Sequence, residues 1–155
     1  MTETIYFDTC ALNRLNDTSS QPRVIDEAEA VIRILDLVAT QKLRWVASTI
    51  LEFEINRNKD LIRRLNTSEL LKDAAETVRP TPQTMVVAAN LTQSGLARMD
   101  ALHLSMAQHA KADWLITTDD RFLKAGNRQR QGQLPGLVNP VEWLQRRHLW
   151  LLQRP

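Results

Sequence analysis

Ile5-Tyr6-Phe7 stopping at Asp8-Thr9, and Trp114-Leu115-Ile116-Thr117 stopping at Thr118-Asp119-Asp120, decide the fold. Each is a short run of apolar, β-prone side chains that ends abruptly at carboxylates, the pattern of a strand covered on both faces whose end meets polar groups. Helical patterns fill the space between them. Pro22 suits a first helical turn, and Val24, Ile25, Ala28, Val31, Ile32, Leu35 and Val38 recur at helical spacing, predicting an amphipathic helix over 22–41. Residues 43–47 read as a second strand, with Ser48 as the cap of a helix through Ile50, Leu51 and Ile55. The spacing over 59–75 predicts a helix broken near Asn66-Thr67-Ser68, where a cap residue occurs. Beyond Pro80 and Pro82, one helix runs from 84 to Gly95 and another over 98–111. After the Trp114 strand come a short helix over 121–125 that Gly126 stops, a polar, basic loop over 127–134, a brief strand at Leu137-Val138, and a terminal helix opened by Pro140. Strands alternating with helices mean parallel βαβ units. The expected fold is α/β, a three-layer α/β/α domain around a central, mostly parallel sheet, spanning 1–145, with an apolar and basic tail over 146–155.

Composition narrows the function. The chain of 155 residues is 43% hydrophobic and 25% charged, which fits one globular domain. Its formal charge of +2 is too small for a generally basic nucleic-acid coat. The distribution is uneven, however: residues 1–120 carry 13 basic and 17 acidic side chains, and residues 121–155 carry 7 basic and 1 acidic. Cys10 is the sole cysteine, so no intramolecular disulfide forms and a cytoplasmic setting is expected. Glu3 stands where a signal peptide would be positive, and no apolar run is long enough to span a bilayer. One Cys and three scattered His cannot build a four-ligand zinc site, so any metal would be held by oxygen.

Ligands of parallel sheets bind beyond the carboxyl ends of the strands, which gives weight to Asp8 and Asp119. Glu52 and Glu54 follow Ser48 on one helix, about 200° apart in direction, so only one faces the site. Glu54 shares its face with Ile50, Leu51, Asn58 and Leu61 and is the favoured choice, with Glu52 the alternative. Asp100, near the start of the 98–111 helix, is the fourth candidate, though an acid there also suits the helix dipole. One of Asp119 and Asp120 is expected to cap the helix that follows. His103 reads as a packed or hydrogen-bonded helix residue, and Trp45 and Trp114 as core. Carboxylates converging without counter-charge repel one another and hold their protons. Mg²⁺ or Mn²⁺ would resolve that conflict and could activate water for in-line attack on a phosphodiester.

The motifs Tyr6-Phe7-Asp8-Thr9, Ser48 with Phe53-Glu54-Ile55, Met99-Asp100-Ala101-Leu102-His103-Leu104 and Leu115 to Arg121 occur in order, closed by Val138 to Leu144. They resemble the acidic motifs of PIN-domain ribonucleases over about residues 4–145. The resemblance implies that Asp8, Glu54, Asp100 and Asp119 form a metal-binding acidic pocket, with Thr117 beside it and Asp120 able to assist or replace Asp119. It implies a Mg²⁺- or Mn²⁺-dependent endoribonuclease acting on single-stranded or structured RNA. It also implies a VapC-like toxin restrained by an antitoxin protein, and a homodimer.

The positive end of the chain offers Arg121, Arg128 and Arg130 as RNA contacts. Trp143, Leu144, Leu149, Trp150, Leu151 and Leu152 make an apolar end that packs on its own domain or on a partner. Two other readings share the sequence. One is a catalytically silent PIN-like module that binds RNA or protein, and the other is a DNA nuclease, which the lack of an arch-like insertion disfavours.

Overall fold

The computed structural model describes residues 2–129 and 132–152. Among them, β1 (Thr4–Phe7), β2 (Arg44–Ser48), β3 (Glu76–Val78), β4 (Trp114–Ile116) and β5 (Gly136–Val138) form one sheet in the order β3-β2-β1-β4-β5. Every neighbouring pair is parallel. The helices are α1 (Thr9–Asn13), α2 (Pro22–Ala39), α3 (Thr49–Asn56), α4 (Leu61–Leu70), α5 (Pro82–Gln93), α6 (Arg98–His109), α7 (Asp120–Asn127) and α8 (Pro140–Leu152). The result is the expected three-layer α/β/α architecture.

The period-two alternation of strand side chains creates the layers. Ile5, Phe7, Trp45, Ala47 and Ile116 point into one core with Val31 and Ile34 of α2 and Trp143 of α8. Tyr6, Val46 and Leu115 point into the other, against Ala88 and Leu91 of α5 and Leu104 and Ala107 of α6. Each large apolar side chain so buried contributes about 1.5–3 kcal/mol, and the three central strands are apolar on both faces because both are covered. The chain adds β2 and β3 on one side of β1 and then returns to add β4 and β5 on the other. That reversal places the topological switch point between the carboxyl ends of β1 and β4.

Four elements depart from expectation. Strand β3 has no counterpart in the sequence pattern, because only Val78 of Glu76-Thr77-Val78 is buried; it lies at the sheet edge, where Arg44 pairs with Glu76 at 2.8 Å. Helix α4 runs unbroken through Asn66-Thr67-Ser68. Thr67 caps nothing there: its hydroxyl donates to the Arg63 carbonyl at 2.9 Å and accepts from Asn16 Nδ2 at 2.9 Å, which buries it inside a polar contact with the chain after α1. Helix α5 begins at Pro82, two residues early, because Thr81 and Thr84 form a reciprocal capping box. Gly126 does not stop α7 but lies within it, where a Cβ would fall 2.4 Å from Leu137 Cδ2. The glycine serves close approach of α7 to β5.

Gly136 has the same role against a stiffer neighbour. A Cβ there would lie 2.6 Å from the Trp114 ring, which is held by a 3.2 Å bond from its Nε1 to Glu3 Oε1. Gly136→Ala should therefore cost about 1–3 kcal/mol by overpacking. Thermal melting would read that as a lower Tm, and an unchanged Tm would show that the ring yields freely. Helix α8 passes residue 145 without a break, and Arg147 donates to Glu3 Oε2 at 2.7 Å while covering the Trp143 ring. The side chains of Leu149, Trp150, Leu151 and Leu152, and Arg130, lie outside the described residues.

Candidate active site

The register of β1 against β4 pairs Tyr6 with Leu115 and Phe7 with Ile116. The Asp8 N–H continues the ladder to the Ile116 carbonyl at 3.2 Å, which brings Asp8 level with Thr117. The Thr117 hydroxyl donates to Asp8 Oδ2 at 2.5 Å and accepts from the Asp119 N–H at 3.1 Å, tying the ends of both strands together. Asp8 also caps α1, its Oδ1 accepting from the Ala11 N–H at 3.0 Å, and Asp119 caps α7 through the N–H groups of Arg121 and Phe122. Both caps follow from an acid standing directly between a strand and a helix.

Glu54 reaches the same region from α3. Its Oε1 meets His103 Nε2 at 2.9 Å and accepts from the Thr9 hydroxyl. His103 is almost fully buried on α6, with Nδ1 2.7 Å from the Tyr6 hydroxyl, which in turn lies 2.7 Å from Ser48 Oγ. A carboxylate can only accept, so Nε2 donates to Glu54. With a neutral imidazole the chain then runs one way, Ser48 to Tyr6 to His103 to Glu54. Ser48 simultaneously accepts from the Leu51 N–H as the cap of α3.

The electrostatics show that the acids share one field. Burial pushes the Asp8 carboxyl up to about 6, with Asp100 adding to the rise and His103, Thr117 and the Ala11 N–H opposing it. Asp100, in the first turn of α6, is also raised to about 6, first by desolvation and then by Asp119 and Glu54. Desolvation acts on Glu54 too, yet the bonds from His103 and Thr9 hold it below the usual carboxylate range. The Cys10 thiol rises to about 12, by desolvation first and then by Asp8, Asp119, Glu54 and Asp100 together.

The remaining candidates lie elsewhere. Asp120 turns away from Asp8 and forms a bidentate pair with Arg23, at 2.8 and 2.7 Å, which lowers its carboxyl. The structure therefore does not bring it to the site. Glu52 faces a separate hollow with Asn56, Ser68 and Lys72, not the strand ends. Arg121 is exposed in the first turn of α7, close to Asp119, and Arg128 is exposed at its far end. Sequence reasoning assigns no site role to Thr9, Tyr6, Ser48 or Arg23. A hydroxyl directly after Asp8 is a signal for the first; the others depend on contacts between distant segments.

Among the described residues, no three His, Cys, Asp or Glu side chains stand close enough to cage an ion as placed. A divalent ion nonetheless fits the donors. They are carboxylate oxygens, two of them, on Asp8 and Asp100, held up near 6 by burial and in part by neighbouring carboxylates. Mg²⁺ keeps several waters and needs only one or two carboxylates, not a closed cage.

The fold and the acids at its switch point define a class, an α/β domain with an acidic site at the carboxyl edge of a parallel sheet. The chain belongs to the PIN domain family, whose family model matches residues 5–127. Among solved structures, a chain of VapBC2 from Rickettsia felis, bound to a DNA fragment from their promoter, is similar at 17% identity, with a TM-score of 0.56. The match covers 87% of this chain and 98% of that one. VapBC-1 from nontypeable Haemophilus influenzae is similar at 14% identity and a TM-score of 0.57, covering 89% and 98%. PAE2754 from Pyrobaculum aerophilum is similar at 16% identity and a TM-score of 0.54, covering 96% and 90%. At these identities the likeness is one of fold. No curated protein matches in sequence. Among the described residues no helix is long and apolar enough to cross a membrane.

Proposed function

We propose that the protein is a Mg²⁺- or Mn²⁺-dependent endoribonuclease in which Asp8, Glu54, Asp100 and Asp119 hold the ion, acting in the cytoplasm as the toxin of a toxin-antitoxin pair. The observation that carries this reading is the shared negative field at the ends of β1 and β4, felt by Asp8, Asp100 and Cys10 alike. PIN domains are generally nucleases that use divalent ions, which agrees with it. When bound, the ion would neutralise the carboxylates and stabilise charge developing on a phosphodiester undergoing hydrolysis.

The chain's own groups have separate tasks. The Thr117 hydroxyl holds the Asp8 carboxylate and the Asp119 backbone N–H, so the acids that follow β1 and β4 are tied together through one side chain. His103 and Thr9 both engage Oε1 of Glu54, which sets the direction of its other oxygen. Among the described residues Asp100 makes no such commitment in the first turn of α6, and it supplies charge. The antitoxin and the homodimer are carried over from the VapC-like resemblance. Phe53, Leu61, Ile62 and Leu65, all more than half exposed, offer apolar surface that either partner would cover.

Purified protein incubated with tRNA and unstructured RNA should cut in Mg²⁺ or Mn²⁺, not in EDTA, and Asp8→Asn should lose the cutting. The wild type should arrest growth of a host that expresses it, and the variant should not. RNA binding without cutting in either ion would instead make the protein a catalytically silent binding module. Cutting that Asp8→Asn retains would detach the acidic site from the activity.

A further inference from the structure

A cleft of about 440 Å³ opens beside the acidic site and shares two residues with it, Thr9 and Glu54. Its outer wall belongs to α3, α4 and the turn between them, which contribute Arg57, Asn58 and Arg64. From α1 comes Asn13. Nothing in the sequence singles out these arginines, since they lie in the acidic part of the chain and far from the basic end.

Arg57 and Arg64 line this cleft uncommitted, whereas three arginines of the neighbouring helices are tied up in ion pairs. Arg14 pairs with Asp17 and Glu27, Arg23 with Asp120 and Glu27, and Arg63 with Asp17 and Asp60. Among the described residues, neither Arg57 nor Arg64 has a carboxylate within ion-pairing distance. Arg64 is half-buried and steadied by one bond, from Nη1 to the Asn58 carbonyl at 3.1 Å, which leaves the rest of its planar fork for another acceptor. Arg57 is steadied differently, with its guanidinium 5.5 Å from the centre of the Phe53 ring. Two cations pre-oriented on one wall stand across from Glu54, the one carboxylate that lines the cleft among the described residues, so the charge changes sign from the acidic site into the cleft.

We propose that Arg57 and Arg64 bind a backbone phosphate of a single nucleic-acid strand, on one side of the bond that the acidic site cleaves. This rests on the nuclease reading above and adds the path of the strand. A polyanion approaching four carboxylates is repelled wherever no cation compensates, so a flanking phosphate settles where uncommitted cations line the cleft that opens from the site. Guanidinium forks match phosphate oxygens in geometry as well as charge. Asn13 and Asn58 add amide groups along the same wall.

The test is binding of a fluorescein-labelled single-stranded RNA oligonucleotide, read by anisotropy across a salt series. Asp8→Asn protein in Mg²⁺ serves as the background, so that the strand stays intact. Arg57→Gln and Arg64→Gln remove the charge while keeping a polar amide. Arg57→Ala, at an exposed position, guards against any folding defect in the Arg64 variant. Each substitution should weaken binding about tenfold. The pair should flatten the slope of log K against log salt by roughly 0.7 for each phosphate that is no longer neutralised. Arg33→Gln, at an exposed arginine of α2 that pairs with Glu29, should leave both quantities within twofold of the background. Binding that keeps its affinity and slope in Arg57→Gln/Arg64→Gln overturns the cleft and leaves the nuclease reading standing. A wild-type protein that neither binds nor cuts RNA overturns both.

Discussion

Asp100→Asn is expected to do two things of opposite sign: abolish metal-dependent RNA cleavage and stabilise the metal-free protein. The first follows from its proposed place among the ion's ligands. Removing one charged contributor to a preorganised electrostatic site should cost about a hundredfold or more in rate. The second follows from the shared field. An ordinary Asp of 3.8 raised to about 6 holds its proton more tightly in the folded chain than in the unfolded one. Its ionisation therefore opposes folding. The stability that Asp100 contributes is greatest below pH 3.8, is lost as the pH rises towards about 6, and stays lost at neutral pH. The full interval corresponds to roughly 3 kcal/mol. Asp100 is only half-buried, and solvent screening brings this to about 1 kcal/mol, or a Tm gain of about 2–4 °C in EDTA. Mg²⁺ should raise the Tm of the wild type and narrow the gap. Asp120→Asn is the matched control, because its carboxylate is lowered by Arg23 and exposed, so it should gain nothing in EDTA and keep its cleavage. A lower Tm for Asp100→Asn in EDTA would mean that the charge supports the start of α6 and not an ion.

Why Asp8 and Asp119 can be found in the sequence, and Arg23 or Arg57 cannot, is a matter of which interactions are local. Ile5 to Phe7 and Trp114 to Ile116 are apolar at consecutive positions because both faces of the sheet are covered, and the acid that follows each strand is also the helix cap. One short stretch thus states strand, turn and carboxylate together. Edge strand β3 lacks this signature because one side of it meets solvent and two of its three residues are polar. Thr67 shows the same limit in a helix: its hydroxyl reads as a cap until the contact with Asn16, far away in sequence, is known. His103 is legible as a satisfied helix residue, but its partners Tyr6 and Glu54 come from β1 and α3, and only the tertiary fold supplies them. The free arginines of the cleft are hidden for a further reason. Their significance lies in the partners they lack, and a sequence does not show which of its charges are paired.

The largest loss of stability should come from a position outside the acidic site. Glu27 of α2 is a carboxylate with 1% exposure, and no periodicity marks it as more than one acid among several on that helix. Arg14 Nε holds its Oε1 at 3.0 Å, Asn139 Nδ2 donates to Oε2 at 2.5 Å, and Arg23 stands farther off, with Nε 3.5 Å from Oε2. These contacts join the turn after α1, α2 and the junction of β5 with α8. Arg23 extends them to Asp120, one residue from Asp119. Removing one partner of a buried pair leaves a charge with neither water nor counter-ion, which costs about 3–5 kcal/mol. Arg14→Ala should fall at the lower end, about 3 kcal/mol, because Arg23 is half-exposed but close enough to compensate in part. At about 2–4 °C per kcal/mol that is a fall in Tm of roughly 6–12 °C. Arg14→Met combined with Glu27→Leu removes both charges and fills the space with apolar atoms, so the double variant should be more stable than either single one. That non-additivity separates a buried charge pair from simple loss of packing, in which the two costs would sum. Since the network supports the start of α7 without supplying a carboxylate to the site, folded Arg14→Ala below its melting point should cleave RNA within a fewfold of wild type. A collapse of cleavage in protein shown to be folded would place Arg14 in the reaction and not beneath it.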